Sequence, residues 1–143
     1  MKSKLKITLS SAVIAIMIGI IFVAIGGCST PADKSSNYID LTTMNSTMVY
    51  SQVYDMVSNP NDYKGKTIKA KGTCGIYTDN NTGKTYYSVV IQDALGCCSQ
   101  GLEFVLKSGN YPNRGKTIII EGTFGTYKEG NNTFCQLSNA RLV

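Results

Sequence analysis

The stretch Gly65-Lys66-Thr67-Ile68-Lys69-Ala70-Lys71-Gly72-Thr73-Cys74-Gly75-Ile76-Tyr77, GKTIKAKGTCGIY, recurs fifty residues on, at 115–127, as GKTIIIEGTFGTY. In the first copy Ile68, Ala70, Gly72, Cys74 and Ile76 alternate with Lys69, Lys71 and Thr73. In the second, Ile118, Ile120, Gly122, Phe124 and Thr126 alternate with Ile119, Glu121 and Thr123. A period of two over this length specifies a strand with one face turned inward. The glycines shared by both copies, at 72 and 122 and again at 75 and 125, suit strands that bend or bulge sharply, as the corners of a small barrel require.

Working outward, each copy runs into a polar turn, TDNNTGKT or KEGNNT, and then a further strand: Tyr86 to Gln92 and Phe134 to Leu142. These are two hairpins. Between them Leu102, Phe104 and Leu106 alternate against Glu103, which gives a fifth, short strand. Upstream, Ser46 offers an N-cap. Met48, Val49, Val53, Met56 and Val57 then recur at helical spacing until Asn59-Pro60 stops the pattern. The expected fold is therefore mainly β, a five-stranded OB-like Greek-key barrel with one N-terminal amphipathic helix. The segment KSGNYPNRG is too short and too rich in Gly, Pro and Asn for a helix between the third and fourth strands, so the N-terminal helix is expected to cap the barrel.

The chain begins with three lysines, an apolar run from Ile7 to about Ile25, two glycines and Cys28. That order is an export signal. The residues Ile25-Gly26-Gly27-Cys28 resemble the lipobox of bacterial lipoproteins. The resemblance implies cleavage before Cys28 and acylation of its thiol, with more than one chain for stable anchoring. Residues 1–27 then form a signal peptide, 28–45 a lipidated, flexible tether of Ser, Thr, Asn and Asp, and 46–143 the barrel domain. The expected location is the cell membrane, lipid-anchored on its extracytoplasmic face. A second resemblance covers roughly 47–143. NPNDYKGKTIKAKG, GCCSQGLEF and FCQLSNARL are similar to a group of small exported OB-fold lipoproteins carrying Cys-Cys-x-Gln-Gly-x-Glu-Phe. This supports the fold and assigns no activity.

Loss of the signal takes 14 Lys and Arg to 11, against 9 Asp and Glu, so the net charge of +5 falls to about +2. The only basic cluster left is Lys64, Lys66, Lys69 and Lys71. Nucleic acid, which needs several cations on one face, is not expected as a partner. The chain has neither histidine nor tryptophan, which removes His-based acid/base chemistry, Ser-His-Asp triads and His-ligated metals. Gly-Lys-Thr occurs at 65, 83 and 115, but the glycine a phosphate loop needs five residues earlier is replaced by Pro60, Thr78 and Asn110. These are read as strand-entry turns. Asp93, Glu103 and Glu121 are not spaced as the paired acids of glycoside hydrolysis. No catalytic constellation emerges, and the chain is not expected to be an enzyme.

What remains is a binding or interaction module. Its partners are the membrane, through the anchor, and a protein, peptide or small ligand held in a groove for which Tyr77, Tyr87, Gln100, Glu103 and Tyr127 are candidates. Four thiols survive lipidation. Cys74 aligns with Phe124 in the repeat and reads as a small buried hydrophobe. In an OB barrel the third and fifth strands run parallel and side by side, so Cys135 is the thiol expected to meet Cys97 and Cys98. A structural disulfide from either to Cys135 fits an exported protein. The alternative is a thiolate metal site of Cys97, Cys98 and Cys135, with Cys74 as a further candidate and Zn or Cu as the ion. A redox dithiol and free thiols in a glycine turn complete the set.

Overall fold

The computed structural model describes residues 36–143. The signal segment, Cys28 and the first part of the expected tether lie outside them. The described chain runs β1 (Tyr38–Asp40), a 3-10 turn (Leu41–Thr43), α1 (Ser46–Ser58), a second 3-10 turn (Pro60–Asp62), β2 (Thr67–Thr78), β3 (Thr85–Gln92), β4 (Ser99–Leu106), β5 (Thr117–Glu129) and β6 (Asn132–Leu142). The strands order as β1-β2-β3-β4-β6-β5, and β5 returns to pair with β2. Five strands thus close into a ring. β4 and β6 run parallel and the other ring pairings are antiparallel. This is the expected OB-like Greek-key barrel, and no helix intervenes between β4 and β5.

The repeat has a geometric meaning. β2 and β5 pair antiparallel with Ala70 opposite Ile120, and these two are equivalent positions of the two copies. The copies are therefore related by an approximate two-fold axis through that pair. Backbone hydrogen bonds obey it: Gly65 N donates to Phe124 O at 2.9 Å as Gly115 N donates to Cys74 O at 2.8 Å. Phe124 N donates to Lys66 O at 2.8 Å as Cys74 N donates to Lys116 O at 2.8 Å. Gly65 and Gly115 turn the chain into the two strands at φ 84° and 80°, a conformation glycine adopts without penalty. Two of the three Gly-Lys-Thr runs are strand entries, and Gly83, at φ 71°, closes the β2–β3 hairpin.

Inside, Ile68, Ala70 and Cys74 from β2 meet Ile118, Ile120 and Phe124 from β5, Leu102 and Phe104 from β4, and Leu137 from β6. Each large buried side chain contributes about 1.5–3 kcal/mol. Helix α1 is capped by Asn45 rather than Ser46: the Asn45 side chain accepts from Met48 N at 3.0 Å. It buries Val49, Val53 and Met56. Just beyond it, Tyr63 is fully buried with its ring edge against Phe124, centroids 6.2 Å apart at 70°. Its hydroxyl accepts from Gln52 Nε2 at 2.9 Å and donates to Asp55, which satisfies the polar end of a buried ring.

The expected domain boundary at 46 is corrected. Tyr38–Asp40 adds to β2 in parallel, and Ile39 and Leu41 are buried, so the folded unit includes residues assigned to the tether. The cause lies in β2. Strand β3 pairs with it only from Thr73 onward, which leaves the Thr67–Lys69 edge open, and β1 fills that edge. Asp40 holds the crossing, accepting from Thr42 N at 2.9 Å and from Lys69 Nζ at 3.3 Å.

Candidate functional site

The tips of the two hairpins define one face. In the β2–β3 turn, Asp79 accepts from Asn81 N and Thr82 Oγ1, both at 2.8 Å. The turn aligns Tyr77 opposite Tyr86, with ring centroids 6.1 Å apart and planes 30° from parallel. The β5–β6 turn closes at Gly130 and aligns Tyr127 opposite Phe134, with centroids 5.5 Å apart at 26°. Tyr77 and Tyr127 are equivalent positions of the repeat. The duplicated strand thus delivers one stacked aromatic pair at each hairpin.

Charged groups join the pairs. Lys84 Nζ donates to Glu129 Oε1 at 2.9 Å and lies 4.7 Å from the Tyr86 ring centre and 5.6 Å from that of Tyr127. The Tyr86 hydroxyl reaches Glu129 Oε1 at 2.8 Å and Oε2 at 2.7 Å, and the Tyr127 hydroxyl donates to Glu103 Oε2 at 2.6 Å. Lys84 and Tyr86 hold the Glu129 carboxyl below its usual range, and Glu129 in turn raises both of them. Burial, with Glu103 beside it, pushes the Tyr127 phenol well up. The phenols therefore stay protonated as donors at neutral pH, and none is poised as a base.

Two adjoining grooves of about 360 Å³ each share Tyr86, Glu103 and Tyr127. One adds Tyr77, Asp79, Glu129 and Phe134; the other adds Lys84, Tyr87, Phe104, Tyr111 and Gln136. Tyr87 stacks on Tyr111 with centroids 4.0 Å apart. The combined lining holds three carboxylates and one amine. Exposed Tyr77 and Phe134 rings beside the half-buried Tyr86 and Tyr127, whose hydroxyls are fixed by Glu129 and Glu103, make a surface for stacking and hydrogen bonding.

Of the residues expected to line a groove, Tyr77, Glu103 and Tyr127 come together, and Tyr87 lines the adjoining one. Gln100 lines neither; it pairs with Ile91 in the β3–β4 ladder. Sequence reasoning left Tyr86 and Phe134 out of the groove candidates and missed Lys84 and Glu129. A signal existed for the first two, since each faces a repeat tyrosine across a hairpin whose turn was already identified.

The thiols separate. Cys74 is buried with its Sγ 3.6 Å from the Pro112 carbonyl, as expected of a core residue, and burial raises its pKa. Cys74, Cys97, Cys98 and Cys135 are all free thiols. The expected meeting of Cys135 with the adjacent pair does not occur. Glu103 pairs with Gln136 and Phe104 with Leu137, so Cys135 lies level with Leu102. That is four residues beyond Cys98, roughly 13 Å along the strand. The parallel β4–β6 pairing was foreseen, but the offset between the two strand starts was not. Cys97 and Cys98 sit exposed at the β3–β4 turn with Asp93. The bond to the Asp93 carboxylate, with Cys98 adding, pushes the Cys97 thiol up to about 11, opposite to what a reactive thiolate needs.

No protein-family model matches the chain, and no curated protein matches it. A similar solved structure is a crystal structure from Klebsiella pneumoniae subsp. pneumoniae MGH 78578, described as a "putative nucleic acid-binding lipoprotein". It is 20% identical with a TM-score of 0.41, and the match covers 80% of this chain and 99% of that one.

Proposed function

We propose that the protein is a lipid-anchored, extracytoplasmic binding module, not an enzyme, and that its ligand is a neutral glycan seated between the two hairpin tips. The anchor rests on the lipobox at Cys28. The observation that carries the ligand reading is the pairing of two aromatic stacks, Tyr77–Tyr86 and Tyr127–Phe134, each with one exposed ring, Tyr77 and Phe134, around carboxylates already tied to phenols and to Lys84. Sugar rings stack on aromatic faces, and the spare lone pairs of Glu103 and Glu129 accept hydroxyl protons. A polyanion meets three carboxylates against one amine and is repelled.

The test is calorimetric titration of the full chain with neutral oligosaccharides, a basic peptide and oligo-dT. Saccharide binding insensitive to salt, weakened about fivefold or more by Tyr86→Ala and by Tyr127→Ala, supports the reading; stacking of a base on an aromatic side chain, the nearest analogue, is worth about 1–3 kcal/mol. Binding of oligo-dT with a steep salt dependence would replace the glycan by nucleic acid, the ligand named for the Klebsiella protein. Acylation of the expressed chain, abolished by Cys28→Ser, tests the anchor.

A further inference from the structure

The β3–β4 turn gathers three ligand-type side chains that the core does not use. Asp93 Oδ2 accepts from Cys97 Sγ at 3.2 Å, Cys97 Sγ lies 3.8 Å from Cys98 Sγ, and the three ligand atoms all fall within 4.8 Å of one another. The backbone builds this cluster. Asp93 N donates to Cys98 O at 3.0 Å and Gly96 N to Asp93 O at 3.2 Å, with Gly96 at φ 70° to complete the turn. Cys98 N donates to Asp93 Oδ1 at 3.3 Å. One carboxylate oxygen is thereby fixed to the backbone and the other faces the sulfurs.

These spacings have a chemical meaning. Zinc binds thiolate sulfur at about 2.3 Å and carboxylate oxygen at about 2.0–2.2 Å in tetrahedral geometry. Those lengths place two ligated sulfurs ~3.8 Å apart and a sulfur and an oxygen ~3.5 Å apart. The turn holds its sulfurs at the first distance and its nearer sulfur–oxygen pair within a few tenths of an ångström of the second. Two soft thiolates suit Zn2+ or Cu+, and the carboxylate shifts the preference toward the divalent ion.

We infer that Asp93, Cys97 and Cys98 form an open, three-ligand site for a thiophilic divalent cation, Zn2+, at the surface of the β3–β4 turn. Binding replaces two thiol protons, released to solvent, by two sulfur–metal bonds, and the cation offsets the repulsion among the three ionised ligands. The fourth position faces solvent, open to water or to a donor from another molecule. The backbone N–H of Cys98 acts as the outer partner that orients Asp93. Cys135 has no part in the site, which distinguishes it from a cluster at the β4–β6 seam. The site is also independent of the aromatic face.

The experiment uses the full chain carrying Cys28→Ser, reduced and stripped of metal, titrated with Zn2+ alone and then with Co2+ as a spectroscopic substitute. Expected are one Zn2+ per chain and a thiolate-to-cobalt charge-transfer band. Cys97→Ser and Cys98→Ser should each weaken binding by at least the roughly 10–100-fold that loss of an outer partner costs, and Asp93→Asn by about tenfold. Cys135→Ser should bind as the parent does. Unchanged circular dichroism identifies folded variants, since all three ligands lie outside the core. Prior alkylation of the exposed Cys97 and Cys98 thiols with iodoacetamide, which replaces each S–H by an S–C bond with loss of hydrogen iodide, should abolish uptake. Failure of the reduced chain to take up Zn2+, full binding by Cys98→Ser, or a loss in Cys135→Ser as large as in Cys98→Ser would overturn the assignment.

Discussion

Cys74 and Phe124 occupy the same place in the two copies of the repeat, each buried to the same degree and each held by the same pair of backbone hydrogen bonds to the opposite strand entry. Around them the copies differ. Phe124 packs against the edge of the Tyr63 ring, whereas Cys74 meets the β4–β5 connection, its sulfur close to the Pro112 carbonyl. The following glycines differ as well. A Cβ at Gly75 would come within 2.6 Å of Ser88 Oγ and 2.9 Å of Val90 Cγ2, while one at Gly125 meets nothing within 4 Å. A duplicated sequence therefore fixes a duplicated backbone, and the neighbours each copy acquires decide which of its residues are constrained.

Substitutions at paired positions sharpen that contrast. Phe124→Ala should produce the largest loss, about 3–5 kcal/mol, because it leaves a cavity next to a rigidly held Tyr63. Cys74→Ala, which removes one sulfur, should cost about 1 kcal/mol, nearer the centre of the distribution for point mutants. Urea denaturation midpoints at constant slope measure both. Equal losses would show that the two sites are packed alike and break the comparison.

Next comes Gly72, where an added Cβ would lie 2.4 Å from the Val90 carbonyl oxygen. Backbone yields less readily than side chains, so Gly72→Ala should cost about 3 kcal/mol. Gly75→Ala meets side chains, of which Ser88 can rotate and the β-branched Val90 cannot easily, and should cost about 1 kcal/mol. Gly125→Ala should be neutral or stabilise by about 0.4–1 kcal/mol through the unfolded state. The order 72, 75, 125 in thermal midpoints is the measurement, and a Gly125→Ala variant as damaged as Gly75→Ala would contradict it.

The ring of five strands was legible because each strand carried its own period-two pattern and because the repeat marked the two strands that bend most. β1 was not legible. Tyr38-Ile39-Asp40-Leu41 offers only two apolar residues within a polar run, and its place is created by an edge of β2 that only the closed barrel exposes. The site was half legible for a related reason. Tyr77 and Tyr127 stand in the repeat itself, whereas Tyr86 and Phe134 become site residues only once hairpin register is known, and Lys84 and Glu129 only once the two hairpins bend toward each other. The separation of Cys135 from Cys97 and Cys98 depended on a strand offset that parity and topology leave undetermined.

The tie between the hairpins supplies the smallest and most specific test. Lys84, then Tyr86, lowers the Glu129 carboxyl, so the ionised form is favoured in the folded state. Its contribution is complete above the unfolded carboxylate value of about 4.3 and disappears as pH falls through the lower, folded value. Both partners are substantially exposed, with side chains 52% and 40% accessible, so salt screens the pair and the effect on stability is modest. Glu129→Gln should therefore shrink the acid limb of a stability-against-pH curve slightly without removing it, because Asp40, Asp79, Asp93 and Glu121 are held below their usual range as well, while leaving Gly72→Ala and Gly125→Ala in their predicted order. Ligand binding measured over the same range should weaken at acid pH in the parent chain and weaken less in the variant, which keeps only Glu103 of the two acceptors. An acid limb that survives Glu129→Gln unchanged would mean that the two hairpins are positioned by their strands alone, and that the copies meet only through β2 and β5.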